Sequence, residues 1–165
     1  MTEALTIRAA AAADLDAICR IYNEGIEDRV ATLDEAPKDA AEIAEWWERH
    51  AVRYAVLVAE RDREIVGWAS LNPYSHRCAY DGVADLSVYI ARSARGTGIG
   101  KQLLGALEPV ARANGFYKIL LFTFPFNEAG QRLHRGLGYR EVGVFKEQGR
   151  LDGVPTDVMA MEKLL

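Results

Sequence analysis

The period of the apolar positions changes several times along this chain. Residues 5–9 (LTIRA) alternate as a short strand does. Asp14 then opens a helix in which Leu15, Ile18, Cys19, Tyr22 and Ile26 recur at helical spacing on one face. Residues 29–38 form a loop ending near Pro37, and Asp39 caps a second helix that runs to about His50 and carries Trp46 and Trp47. Residues 54–60 and 64–72 are β-rich runs joined by the charged turn Arg61-Asp62-Arg63, which predicts a hairpin. Residues 73–82 (PYSHRCAYDG) are a polar and aromatic loop. Residues 83–90 (VADLSVYI) are a fourth strand, with Asp85, Ser87 and Tyr89 on one face and Leu86, Val88 and Ile90 on the other.

The second half repeats this punctuation. A glycine-rich loop leads into a helix from about Gly98 to Asn114, closed by Gly115. Pro109 lies inside it, which predicts a bend or an earlier end, because its ring presses on the carbonyl of Gly105. Residues 118–124 form a buried strand ended by Pro125, and Asn127 caps a helix to Leu137 that stops at Gly138. Residues 139–147 and 155–162 form a last hairpin across Leu151-Asp152-Gly153-Val154. The order β, α, α, β, β, β, α, β, α, β, β is neither a strict βαβ alternation nor an all-β pattern. It predicts a mixed sheet with helices on its faces. No repeat, linker or low-complexity tract interrupts it, so residues 1–165 are assigned to one domain.

Composition narrows the function classes. Twenty Lys and Arg against 24 Asp and Glu give a net charge of -4. A pI near 5.4 argues against a sequence-independent nucleic-acid partner, though not against a local basic pocket. The apolar runs are strand-sized, so no membrane partner is expected. The opening MTEALTIR lacks the basic start of a signal peptide, and a cytoplasmic location is the expectation. Cys19 and Cys78 are read as free thiols, and His50, His76 and His134 lack metal-ligand spacing, so no metal is expected.

The most informative segment is the strand ending Val88-Tyr89-Ile90 and the turn Arg95-Gly96-Thr97-Gly98-Ile99-Gly100-Lys101 that opens a helix. Its glycines permit positive φ, its helix start offers free N–H groups, and Arg95 and Lys101 add positive charge, which together suit a phosphate or pyrophosphate. A P-loop is excluded twice, by Arg95 in place of its first glycine and by Gln102 in place of its Ser or Thr. A dinucleotide fingerprint fails because its third glycine falls one residue early, at Gly100. The spacing that does fit is Arg-x-x-Gly-x-Gly.

With that spacing the chain resembles the GNAT superfamily of acetyl-CoA-dependent N-acetyltransferases over nearly its whole length. IRAAAAADLDAICRIYNEGIE resembles the family's opening strand and helix, VAERDREIVGWASL its central hairpin, and NEAGQRLHRGLGY its second CoA-contacting helix. RCAYDGVADLSVYI and GVFKEQGRLDGVPTDVMAMEKLL resemble the phosphinothricin N-acetyltransferase branch, and FTFPFN and EQGRLDG its arsinothricin-acetylating members. The resemblance implies an α/β fold with a largely antiparallel, twisted sheet of about seven strands, splayed between the fourth and fifth, and about four helices on both faces.

It also implies roles. Acetyl-CoA would be the co-substrate, its pyrophosphate wrapped by residues 95–101 and its pantetheine held by main-chain groups of Val88, Tyr89 and Ile90, with Asn127 a further contact. The small-molecule amine arrives protonated, so a base is required, and Asp85 stands where the branch has an acid, acting directly or through water. Arg77 would fork a substrate carboxylate or second anionic head, Tyr80 would wall the pocket, and Glu27 would lie near it. His134 stands where many members have a thiolate-protonating tyrosine, although it also shares a packing face with Gly130, Leu133 and Leu137. Trp46 and Trp47 are expected in core or dimer packing, and Phe124-Pro125-Phe126 lies near the edge where the family forms homodimers. The expected reaction is acetylation of the α-amine of phosphinothricin, arsinothricin or methionine sulfoximine, a detoxification. Other amines (a polyamine, an aminoglycoside, a protein N-terminus) and a non-catalytic CoA-binding module stand as alternatives.

Overall fold

The structure is a computed structural model and describes residues 4–50 and 52–165. Its strands are β1 (Thr6–Ala9), β2 (Val56–Arg61), β3 (Glu64–Pro73), β4 (Val83–Ile90), β5 (Lys118–Thr123), β6 (Arg140–Leu151) and β7 (Val154–Leu164). Its α-helices are α1 (Leu15–Glu27), α2 (Ala40–Arg49), α3 (Ile99–Ala113) and α4 (Glu128–Gly136). All seven strands join one sheet in the order β1-β2-β3-β4-β5-β7-β6. The β4–β5 pairing is parallel because α3 carries the chain back across the sheet, and the other pairings are antiparallel.

Local chemistry explains most of these boundaries. The hairpin β2–β3 turns on Asp62 and Arg63, both at positive φ (53° and 64°), and β6–β7 turns on Asp152 and Gly153 (50° and 77°). Two successive positive-φ residues twist with the flanking strands, which is why such short connections close hairpins. Asp39 and Glu42 form a reciprocal capping box at the start of α2, each side chain accepting the other's backbone N–H. Asp14 opens α1 as expected, without a side-chain bond to the N–H groups of that helix. Its carboxylate reaches back to the Ala11 N–H (2.8 Å) and to Arg8, tying the helix start to β1. The last hairpin is longer than its pattern suggested because an irregularity between Phe145 and Gly149 absorbs extra residues, held by the Asp157 carboxylate on the Glu147 N–H (2.8 Å).

The helices cover both faces. Trp68 of β3 meets Tyr22 of α1 and Trp46 of α2 on one face. On the other, Gly67 and Ile90 lie against Leu103 of α3. The buried stripe of α1 is Ile18, Ile21, Gly25 and Ile26, whereas Leu15 and Cys19 of the expected face are only half-buried. Pro109 does not end α3 early, since the helix runs on to Ala113 and the Asn114 N–H still reaches the Val110 carbonyl. The missing N–H of Pro109 removes one bond and the turns on either side hold the rest.

Gly67 lies at a tight contact between α3 and the sheet: a Cβ there would sit 2.9 Å from Ile90 Cδ1, 3.2 Å from Leu103 Cδ1 of α3 and 3.3 Å from the Tyr89 carbonyl oxygen. Because that oxygen is backbone in a paired strand, Gly67→Ala is expected to destabilise the fold by about 1–3 kcal/mol in urea unfolding. An unchanged midpoint would show that β3 and α3 separate freely.

Candidate active site

The sheet is not continuous at its centre. Among the described residues β4 pairs with β5 at Val83, Ala84 and Asp85 alone, and the rest of β4 runs on to Ile90 with no strand partner on that edge. The Ala91 N–H bonds the Val66 carbonyl (2.8 Å), so alternation along β4 turns the N–H and C=O of Val88 and Ile90 away from β3 and into the gap. The gap opens into a cleft of about 580 Å³, lined by Val88, Tyr89 and Ile90, by the turn before α3, and by Asn127 and His134.

The turn before α3 has the geometry of an anion cradle. Gly96 and Gly98 have φ of +74° and +83°, and nothing lies within 4 Å of a Cβ placed on either. The Gln102 N–H is the donor that closes the first turn, onto the Gly98 carbonyl (3.2 Å), so the N–H groups of Ile99, Gly100 and Lys101 are left at the helix mouth. Lys101 lines the cleft and has no ion partner among the described residues. Gly100 serves packing: a Cβ there would lie 2.9 Å from Leu133 Cδ2, so it lets α4 approach α3. Arg95 lines the cleft too, but its guanidinium is held by Asp28 (2.5 Å) and the Ile90 carbonyl (3.2 Å). Asp28 also takes Arg92, and both arginines draw its carboxyl below the usual range. No sequence signal singled Asp28 out. Asn127 Oδ1 caps α4 by accepting the Gly130 N–H (3.0 Å) while the residue lines the cleft.

A second cavity of about 600 Å³ lies between α1, α2 and the opposite face of β3 and β4, lined by Trp46, Trp68, Asn72 and Pro73. Asp85, Ser87 and Tyr89 line both cavities. Burial pushes the Asp85 carboxyl up to about 6, against hydrogen bonding from Asn72 and the Leu86 backbone that favours the charged form. His134 is buried, its Nδ1 has no hydrogen-bond partner among the described residues, and burial lowers its pKa to about 4, so the ring is neutral at pH 7.

Four expected site residues lie elsewhere. Thr97 turns its hydroxyl back onto the Ala94 carbonyl (2.6 Å) and lines neither cavity. Glu27 is occupied by Arg92 (2.9 Å) at the end of α1. Arg77 and Tyr80 are exposed on the loop after β3, outside both linings, with Tyr80 packed edge-on to Tyr74. That loop departs from Pro73 at the rim of the second cavity, and the Arg77 guanidinium has no ion partner among the described residues. The same residues hold no cluster of three or more His, Cys, Asp or Glu able to bind a metal, and no helix long and apolar enough to cross a membrane.

Comparison with known proteins gives a consistent picture. The acetyltransferase (GNAT) family pattern matches residues 16–139. The L-methionine sulfoximine/L-methionine sulfone acetyltransferase of Pseudomonas aeruginosa is 34% identical over 95% of this chain and 92% of its own. The crystal structure of a phosphinothricin acetyltransferase from Sinorhizobium meliloti in complex with acetyl-CoA superposes with a TM-score of 0.91 at 34% identity, over 98% of this chain and 88% of its own. That of a ribosomal-protein-alanine N-acetyltransferase from Brucella melitensis gives 0.93 at 37% identity, over 97% and 99%.

The Asp85 environment has a consequence for stability. Its folded pKa, about 6, lies above the ordinary 3.8, so its burial opposes folding once the carboxyl ionises. The opposition is absent below pH 3.8, grows as pH rises through 6 and then stays constant. Asp85→Asn is therefore expected to gain about 1–3 kcal/mol over the parent at pH 8, shrinking to nothing near pH 4. Urea unfolding across that range tests it, and a pH-independent difference would contradict it.

Proposed function

Because the chain belongs to the acetyltransferase (GNAT) family and is an acetyl-CoA-dependent N-acetyltransferase, we propose that its acceptor is the α-amine of a glutamate-like amino acid: phosphinothricin, arsinothricin or methionine sulfoximine. The observation that carries this reading is the junction of two cavities at Asp85, Ser87 and Tyr89. One cavity has the unpaired edge and anion cradle that suit a long thioester carrying a pyrophosphate. The other brings a small amine to a buried carboxylate from the opposite side.

The residues fit acetyl-CoA. Val88 and Ile90 offer main-chain groups along the gap, and the N–H groups of residues 99–101 with Lys101 suit its pyrophosphate. When bound, acetyl-CoA supplies an acetyl group on a good leaving sulfur. Asp85 takes the ammonium proton, and a carboxyl near 6 is ionised at pH 7 yet basic enough to accept it. Gap-facing N–H groups on β4 polarise the acyl carbonyl. His134, neutral through burial, gives the departing sulfur a hydrogen bond. Arg77, which has no ion partner among the described residues and sits on the exposed loop that leaves the acceptor cavity at Pro73, takes the substrate's anionic end, with Tyr80 on the same loop. Glu27 acts indirectly through Arg92. We place the enzyme in the cytoplasm as a homodimer, with exposed Phe126, stacked on buried Phe124, near the partner.

A thiol-release assay with acetyl-CoA tests this against phosphinothricin, arsinothricin, methionine sulfoximine, a polyamine and an alanyl peptide. Turnover of the first three is expected. Arg77→Ala is expected to lower kcat/KM for them about 10–100-fold, the loss of one charge-assisted contact. Preference for the peptide, or an unchanged kcat/KM in Arg77→Ala, overturns the substrate reading. Turnover confined to the parent and lost about a hundredfold or more in Asp85→Asn, with acetyl-CoA binding kept, excludes a non-catalytic module.

A further inference from the structure

The chain between α1 and α2 forms a strap along both cavities. Val30 to Leu33 line the cleft, and Asp34 and Lys38 line the acceptor cavity, so the strap passes from one lining to the other between Leu33 and Asp34. Residues 29–38 contain no helix or strand, so ties from elsewhere must give them one shape. Two ties come from α1. Tyr22 donates its phenol hydroxyl to the Asp34 carboxylate. Asn23 pairs with Lys38 in both directions, Oδ1 accepting the Lys38 N–H (2.8 Å) and Nδ2 donating to the Lys38 carbonyl (2.9 Å).

The remaining ties come from the β6–β7 hairpin at the sheet's edge. Asp152, in its turn, accepts from Arg29 Nε (3.0 Å), and the Asp152 N–H donates to the Glu35 carboxylate. Arg29 also donates to the Ile26 and Glu35 carbonyls (both 3.1 Å), lacing the strap's beginning to its middle. One apolar contact sits among these polar ones. Gly149 re-enters the β6–β7 ladder opposite Thr156, and the three atoms nearest a Cβ built on it all belong to Leu33, at 2.5, 3.4 and 3.5 Å. Leu33 therefore occupies the volume that any other residue at 149 would fill. Neither Gly149 nor Asp152 is part of either lining.

We propose that Gly149 and Asp152 are positioning residues for both substrates: from outside the cavities they hold the strap and, through Leu33 and Asp34, set the walls between which thioester and amine meet. The acceptor half of this inference rests on the function proposed above, and the coenzyme half requires only acetyl-CoA in the cleft. An exposed pair such as Arg29 with Asp152 is weak by itself, so the Gly149 contact carries the larger effect. Gly149 is not among the residues at positive φ, so alanine suits its backbone, and its methyl group meets the tip of Leu33 first. That tip must then swing, and the side chain that swings is a wall of the cleft.

The test measures the acetyl-CoA Kd by calorimetry and the steady-state constants with acetyl-CoA and phosphinothricin. Gly149→Ala is expected to raise the Kd and the KM for phosphinothricin about three- to tenfold each, with kcat within about twofold of the parent. Asp152→Ala is expected to act in the same direction by about two- to threefold. Gly143→Ala, on the same strand with nothing within 4 Å of its Cβ, is expected to leave all three constants unchanged. A variant that was merely less stable would lower kcat by its folded fraction and leave Kd and KM in place. The deciding comparison is a double-mutant cycle: once Leu33→Ala has removed the tip, adding Gly149→Ala is expected to shift Kd and KM no further. Should Gly149→Ala alone fail to fold, the cycle of Arg29→Ala and Asp152→Ala asks the same question, and again no further shift is expected in the pair. A lower kcat with unmoved Kd and KM, or additive effects within the cycle, overturns the proposal. If the parent acetylates none of the amines tested, the acceptor proposed above fails, while the acetyl-CoA Kd still decides whether the hairpin positions the strap.

Discussion

The interrupted pairing of β4 with β5 is the constraint on which the rest depends. Three residue pairs hold the strands together, and the edge beyond them stays open. An open edge inside a sheet leaves backbone donors and acceptors in need of partners, and an extended ligand can supply them. The wedge also exposes the mouth of α3, because α3 is the crossover that makes the pairing parallel. A continuous ladder from Val83 to Ile90 would close the cleft and seal Asp85 away from it.

Electrostatics around this opening divide by depth. At the surface, Arg92 and Arg95 share Asp28, which joins the end of α1 to the glycine turn and holds Arg95 beside the Ile90 carbonyl. Such exposed pairs contribute little stability each and serve mainly to order the turn. Deeper in, Asp85 has no cationic partner among the described residues. Desolvation dominates its environment and hydrogen bonds only partly offset it, which leaves a carboxyl poised near 6. The fold tolerates that unfavourable burial at the one place where both cavities meet.

Much of the fold was legible because its signals are local. The two hairpin turns, the capping box at Asp39, the glycine turn and the in–out alternation of β4 each follow from a few neighbouring residues. Partners outside these local patterns add what the patterns do not carry. Asp14 stands at the start of α1, yet its carboxylate is held by Arg8, and Gly100 lines the cleft and also lets Leu133 of α4 approach.

By itself the sequence determined the strand and helix order, the spacing Arg95-x-x-Gly98-x-Gly100 and the presence of a carboxylate on the polar face of β4, since periodicity and turn chemistry act over a few residues. Only the tertiary structure decided that this carboxylate is buried between two cavities, that Asn72 lies opposite it, and that Asp28 holds Arg95. Register across β3 and β4 and the docking of α1 against the turn bring together residues 13 and 67 positions apart. Desolvation and ion pairing depend on that proximity, and no local pattern encodes it.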